Sequence, residues 1–358
     1  MSFARVLHKG SFQCKLPGAI MAGLALHEFH QTAGASFTEV SGQEAVAHYG
    51  DWRAEYDALR DGAGVIDLSF RGRLCVLGAD RQRFLNGQVT NNVKDLQGGH
   101  GCYAALVSAK GKLQSDINIY CLENELLLDL EPGYADGVAQ WLEKYVIAED
   151  VQIIDAAPHY GLLSVQGAKA ASLGDKWPGD VMRISEAGEI FAANRPRLGG
   201  AGFDLFVPIA GLREAAEQLV SRGGRLCGWD AFETARVELG IPRFGVDMDE
   251  TNLAPEALGE GAISYSKGCY IGQEVIARVR TYGQVAKSLR RLKLGGDVTK
   301  GAKLFLGDKE VGYVTSVVRS PALNAVVGLG YVRREANVKG AELFVEMPHG
   351  RIPVELDF

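Results

Sequence analysis

The last part of the chain, from Val285 to Phe358, carries no helical periodicity. It runs as short apolar segments, among them Ser288–Leu294, Val311–Val318, Ala325–Val332 and Leu343–Glu346, broken by Gly-Asp, Pro and Asn. Segments of this length between turn residues read as strands. About six strands in roughly 75 residues are best satisfied by closing the sheet into a small barrel, because closure removes the unpaired edges. This stretch is therefore expected to be a six-stranded β-barrel domain, residues 284–358.

The preceding residues have a different texture. Apolar runs such as Leu74–Leu77 before Gly78, and Ile117–Leu122 before Glu123-Asn124, read as strands. Between them lie helical stretches: Arg81–Asn86, Tyr134–Tyr145 with Val138, Trp141 and Leu142 on one face, and Leu212–Ser221 with Ala215, Leu219 and Val220. Strands interleaved with helices, without a repeated glycine fingerprint, indicate an α+β core. A chain of 358 residues is long enough for two or three domains. The expected division is an extension over 1–20, a core over 21–283 and the barrel. The core exceeds the usual size of one domain.

The N-terminal segment imitates a secretory signal, with Arg5, Lys9 and Lys15 before an apolar run to Leu26 and then Ala33-Gly34-Ala35. Pro17 and Gly18 interrupt the run, and Leu24 to His30 fit an amphipathic helix closed by Gly34. Met21 is an alternative start. His27 and His30 are three apart on that helix, a spacing read as a solvated face rather than a metal site. No run approaches the roughly 20 apolar residues that span a bilayer. The cysteines, Cys14, Cys75, Cys102, Cys121, Cys227 and Cys269, form no C-x-x-C pattern, as expected of a reduced, cytoplasmic protein.

Four places carry candidate chemistry. Lys267-Gly-Cys-Tyr-Ile-Gly-Gln-Glu274 sets Cys269 between glycines that permit close approach of another molecule, with Lys267 available to favour a thiolate. The alternative is a buried cysteine with glycines that serve only a turn. From Val275 to Gly296 there is no acidic residue but six basic ones, Arg278, Arg280, Lys287, Arg290, Arg291 and Lys293. Overall 38 basic face 44 acidic residues, so the chain outside this stretch is distinctly acidic. The run fits either a polyanion, such as a folate's glutamate tail or an RNA backbone, or a charged strand edge. The net charge of −6 argues against nucleic acid as a main partner. Asp116 opens a strand after Gly111, as a general base, an amine acceptor or a turn cap. Arg236-Val-Glu-Leu-Gly240 reads as the end of a helix carrying an Arg236–Glu238 pair. The turns at Gly98–Gly101 and Gly111-Lys112-Leu113 lack the residues of a phosphate loop.

Taken in order, Gly64-Val-Ile-Asp-Leu-Ser69, Thr90-Asn-Asn-Val93, Tyr103, Gly111–Asp116, Val165-Gln-Gly167, Arg236–Gly240 and Gly312-Tyr-Val-Thr-Ser316 resemble the YgfZ/GcvT family, that of the glycine-cleavage T-protein, over nearly the whole chain. Lys267–Glu274 is similar to the K-G-C-Y-x-G-Q-E signature of the YgfZ branch. The resemblance implies a GcvT-like folate-binding fold, two subdomains around a central cavity plus the barrel, with tetrahydrofolate as cofactor. It also implies a role as an accessory protein of iron–sulfur cluster assembly or repair and of iron–sulfur-dependent tRNA modification, with iron–sulfur proteins as partners and no membrane. Cys269 and Asp116 would then be the reactive residues, and Tyr103, Asp116, Arg236, Lys267 and Gln273 would contact the folate. The alternative is a folate-dependent aminomethyltransferase of the T-protein type. Gly200 stands where that family carries a Glu that pairs with the pterin, and a glycine has no carboxylate to offer.

Overall fold

The computed structural model describes residues 23–356 apart from 282, 284 and 349. The signal-like residues Arg5, Lys9 and Lys15, the 1–20 extension and Met21 lie outside the described residues. The chain gathers into two compact units: everything up to Ala104 together with Ser115–Phe232, and Ala105–Gln114 together with Glu233 onward.

In the first unit, α1 (His27–Thr32) leads into the hairpin β1 (Ser36–Val40) and β2 (Gln43–His48), then α2 (Trp52–Asp61). The side chain of Asp51 accepts from the Ala54 N–H at 3.0 Å, which satisfies an otherwise orphaned donor at the start of α2. There follow β3 (Gly64–Asp67), β4 (Gly72–Leu77), α3 (Arg81–Gln88), β5 (His100–Val107), β6 (Leu113–Cys121), β7 (Leu126–Leu130), α4 (Ala135–Glu143), β8 (Gln152–Asp155) and β9 (Tyr160–Gln166). The unit continues with β10 (Ile184–Ala187), β11 (Ile190–Asn194), β12 (Gly202–Pro208), α5 (Leu212–Ser221) and β13 (Arg225–Leu226). These strands build a five-stranded sheet ordered β5-β6-β7-β4-β8 and a six-stranded sheet ordered β10-β11-β12-β9-β3-β13. On α5, Leu212, Ala215, Ala216 and Leu219 recur at three and four spacing and bury against Val165 and Val207 of the larger sheet. Burying a leucine of this kind contributes about 1.5–3 kcal/mol.

His30 overturns the expectation of a solvated histidine face. It is 1% exposed, its Nε2 lies 2.9 Å from Asp67 Oδ2, and Tyr49 Oη lies 2.7 Å from its Nδ1. His27 instead meets Glu44 at 3.0 Å. The two rings therefore tie α1 down through separate carboxylates.

The second unit takes up the chain in α6 (Trp229–Glu238), from Glu233 on, and continues with α7 (Ala254–Ala257) and α8 (Gln273–Thr281). Gly240, with φ of +75°, follows the end of α6 in the left-handed region that glycine adopts at little cost. The strands β14 (Lys287–Leu294), β15 (Lys303–Leu306), β16 (Lys309–Ser320), β17 (Ala325–Arg333), β18 (Leu343–Met347) and β19 (Gly350–Leu356) close into the six-stranded barrel expected from the sequence. Leu292, Leu304, Val311, Val314 and Val345 fill it. The basic run is corrected on one point. Its first part is helical, and β14 pairs with both β17 and β19, so β14 is not a charged sheet edge. No described helix is long and apolar enough to cross a membrane.

Candidate functional site

β6 alternates by residue type. Leu113, Ile117 and Ile119 are buried on one side, and the two-residue period of a strand sends Gln114, Asp116, Asn118 and Tyr120 to the other. That polar side belongs to a layer of buried charge. Asn118 pairs in register with Asp129 of β7 and donates from Nδ2 to Asp129 Oδ2 at 2.9 Å. Arg71, ahead of β4, reaches Asp129 with Nε at 2.7 Å and Glu131 with Nη1 at 2.5 Å. Arg197 joins Asp129 at 2.7 Å to Asp204 of β12 at 2.6 Å. Asp204 in turn accepts from Ser164 Oγ at 2.7 Å, and Gln166 supports Ser164 at 2.9 Å. Burial would raise the Asp129 carboxyl, yet the two guanidiniums outweigh burial and hold it well below the usual carboxylate range.

Asp116 sits at one end of this layer and behaves in the opposite way. Tyr103 Oη donates to its Oδ2 at 2.8 Å, while its Oδ1 is withdrawn from solvent with no hydrogen-bond partner. Burial, reinforced by the negative Glu131, pushes the carboxyl up from 3.8 to about 6, against the pull of the Tyr103 hydrogen bond and Arg71. Burial and Asp116 push the Tyr103 phenol well above its ordinary value. The Arg195 guanidinium lies 5.8 Å from the Tyr103 ring. The result is a carboxyl group able to gain or lose a proton near neutrality, with one oxygen free, beside a phenol that stays protonated.

The remaining sequence candidates lie in the second unit. Arg236 is 1% exposed. It donates to Glu233 through Nε at 3.0 Å, to Ile241 O at 3.1 Å, to Ser316 Oγ at 3.0 Å, and to Asp247. The expected Arg236–Glu238 pair is thus corrected, since residues two apart on a helix face different ways and the acid three residues back is the one in reach. Cys269 is exposed, which removes the alternative of a buried thiol. Lys267 is nearly buried, and its ammonium lies 4.9 Å from the Tyr270 ring, a cation–π contact. Gln273 opens α8, its backbone N–H bonded to Tyr270 O at 3.2 Å. Gly272 has φ of +79°, and a Cβ there would meet Ser108 O at 2.4 Å, so the β5–β6 turn can rest on the start of α8 only because this residue has no side chain.

Sequence reasoning missed Arg71, Asn118, Asp129, Glu131, Arg197 and Asp204. A signal was present. Asp129 interrupts the otherwise apolar Leu126-Leu-Leu-Asp-Leu130, and a charge inside a buried strand demands a partner. Gly200 lies in an exposed turn where an added Cβ would meet nothing within 4 Å. Among the described residues, no group of three or more His, Cys, Asp or Glu is placed to hold a metal ion.

Comparison with known proteins bears on this geometry. The GCVT N-terminal domain model matches residues 26–267, and the glycine cleavage T-protein C-terminal barrel domain matches residues 287–356. The chain is 28% identical over 321 residues to a chloroplastic protein of Arabidopsis thaliana named provisionally as a transferase, covering 87% of this chain and 74% of that protein. It is 28% identical over 336 residues to an aminomethyltransferase of Rubrobacter xylanophilus, covering 90% of each. The crystal structure of the glycine cleavage system aminomethyltransferase T from Bartonella henselae superposes with a TM-score of 0.86 at 24% identity, covering 94% of this chain and 96% of that one. At that identity the likeness speaks for the fold.

Proposed function

The chain belongs to the glycine-cleavage T-protein (GcvT) family, and from that premise we propose that it binds a reduced folate at Asp116 and Tyr103 and transfers a one-carbon unit as the aminomethyltransferases do. The observation that carries this reading is Asp116 Oδ1, a buried acceptor that no protein donor answers. A secondary or protonated amine fits it, since such a group donates the missing hydrogen bond. Tetrahydrofolate, when bound, supplies the amine nitrogens that accept the one-carbon unit.

The chain's own residues then have definite tasks. Tyr103, kept protonated, donates to Oδ2 and orients the carboxyl. Oδ1 takes or returns a proton at the ligand nitrogen, a transfer favoured by a carboxyl whose affinity for protons lies near neutrality. Arg71, Arg197 and their acids hold the layer behind it rigid.

The test is turnover of purified protein with tetrahydrofolate and an aminomethyl donor. Asp116→Asn is expected to lose activity on the order of 100-fold, and Cys269→Ala to keep it. Wild type without turnover or saturable folate binding would overturn the proposal.

A second reading has its own support. Cys269 is exposed, its segment resembles the YgfZ-type signature, and a thiol so placed suits an accessory role toward iron–sulfur proteins. One cysteine cannot hold a cluster alone, so that role requires a partner protein or an added thiol to complete the ligands. It predicts the reverse pattern, with Cys269→Ala abolishing support of an iron–sulfur client and no turnover in the transfer assay.

A further inference from the structure

Asn118 carries a second unanswered atom. The residue is 4% exposed, and its Nδ2 donates to Asp129 Oδ2 at 2.9 Å. Asp129 is gripped by Arg71 and Arg197 and can only accept. The amide is therefore fixed one way round, and Asn118 Oδ1 points elsewhere, buried and without a partner. Two residues back on the same face Asp116 Oδ1 is in the same state, and two residues on so is the Tyr120 hydroxyl. Buried polar atoms without partners are rare and costly, and three in sequence along one strand face mark a surface that something other than the protein completes.

We infer that Asn118 reads the ring of the ligand, its Oδ1 accepting an N–H from the amino-substituted edge of a nitrogen heterocycle whose reacting nitrogen lies at Asp116. The inference rests on the folate reading, and the amino-pyrimidine edge of a reduced pterin is a donor edge of this kind. Alternate residues on a strand are about 6.7 Å apart, so a two-ring heterocycle along β6 addresses both positions. A carbonyl oxygen here accepts and does not donate, so the site favours an edge rich in N–H over an isosteric edge that lacks it.

The experiment is a calorimetric titration of the full chain with tetrahydrofolate and with its 2-desamino analogue, repeated with Asn118→Leu. Wild type is expected to bind the analogue on the order of 100-fold more weakly, and the variant to bind both alike. Equal binding of the two ligands by wild type overturns the inference while leaving the folate reading standing, and it needs no variant to fold. The same discrimination persisting in Asn118→Leu also overturns it. Failure of tetrahydrofolate itself to bind wild type overturns both.

Discussion

Asp116 in the first unit and Asp247 in the second are both carboxylates set among buried polar residues, and they have opposite surroundings. Asp247 is 2% exposed and fully engaged. Its Oδ1 accepts from Thr315 Oγ1 and Ser316 Oγ, each at 2.6 Å, and its Oδ2 accepts from the Arg243 N–H at 3.1 Å and from the Arg236 guanidinium. It ties the end of α6 to β16 and has no acceptor left over. Asp116 has one bond, one idle oxygen and a carboxyl pushed toward neutrality. A saturated buried acid is a strut, whereas an unsaturated one keeps interaction capacity in reserve for a ligand.

The sharpest way to break this comparison is Asp247→Asn, which removes one of the two carboxylates, Asp247 and Glu233, that answer the buried Arg236. A loss of about 3 kcal/mol is expected, read as a lower urea midpoint. Gly272→Ala comes next, at about 2 kcal/mol, because it combines a left-handed backbone with a clash against Ser108 O. A smaller cost would mean that the β5–β6 turn moves aside easily.

Asp116→Asn is expected to do the reverse. The folded protein favours the protonated carboxyl, so the stability this group contributes is complete below its ordinary 3.8 and is lost as pH rises through about 6. The variant should lack that slope. At pH 7 it should be more stable than wild type by about 1 kcal/mol, once solvent screening is allowed for, and the gap should close near pH 4. A destabilised Asp116→Asn at pH 7 would make Asp116 a strut after all. The smallest effect belongs to Cys269→Ser, where an exposed thiol predicts a change within about 0.5 kcal/mol in thermal unfolding.

Much of the fold could be read locally. The helix Leu212–Ser221 has the bounds its apolar spacing implied, and the strand-rich tail closes as a barrel. Two barrel strands, Lys303–Leu306 and Gly350–Leu356, were not among the segments singled out, since each is short or mixed in character and is held in place by neighbours on both sides. At the site, Asp116 is legible from its own sequence context and Tyr103 only through family resemblance. Their hydrogen bond spans only 13 residues, across one hairpin. Arg71 and Arg197 were not legible, because they meet Asp129 across separations of 58 and 68 residues that no local pattern encodes.

What the sequence determined by itself is whatever depends on spacing along the chain: the period of β6 that puts Asp116, Asn118 and Tyr120 on one face, the turn glycines, and the change of texture before the barrel. The tertiary structure alone decided which of the polar groups are satisfied. Hydrogen-bond and charge satisfaction are set by distances between segments remote in sequence. The same residue type, aspartate, therefore becomes a strut at 247 and an open acceptor at 116 only once the sheets have packed.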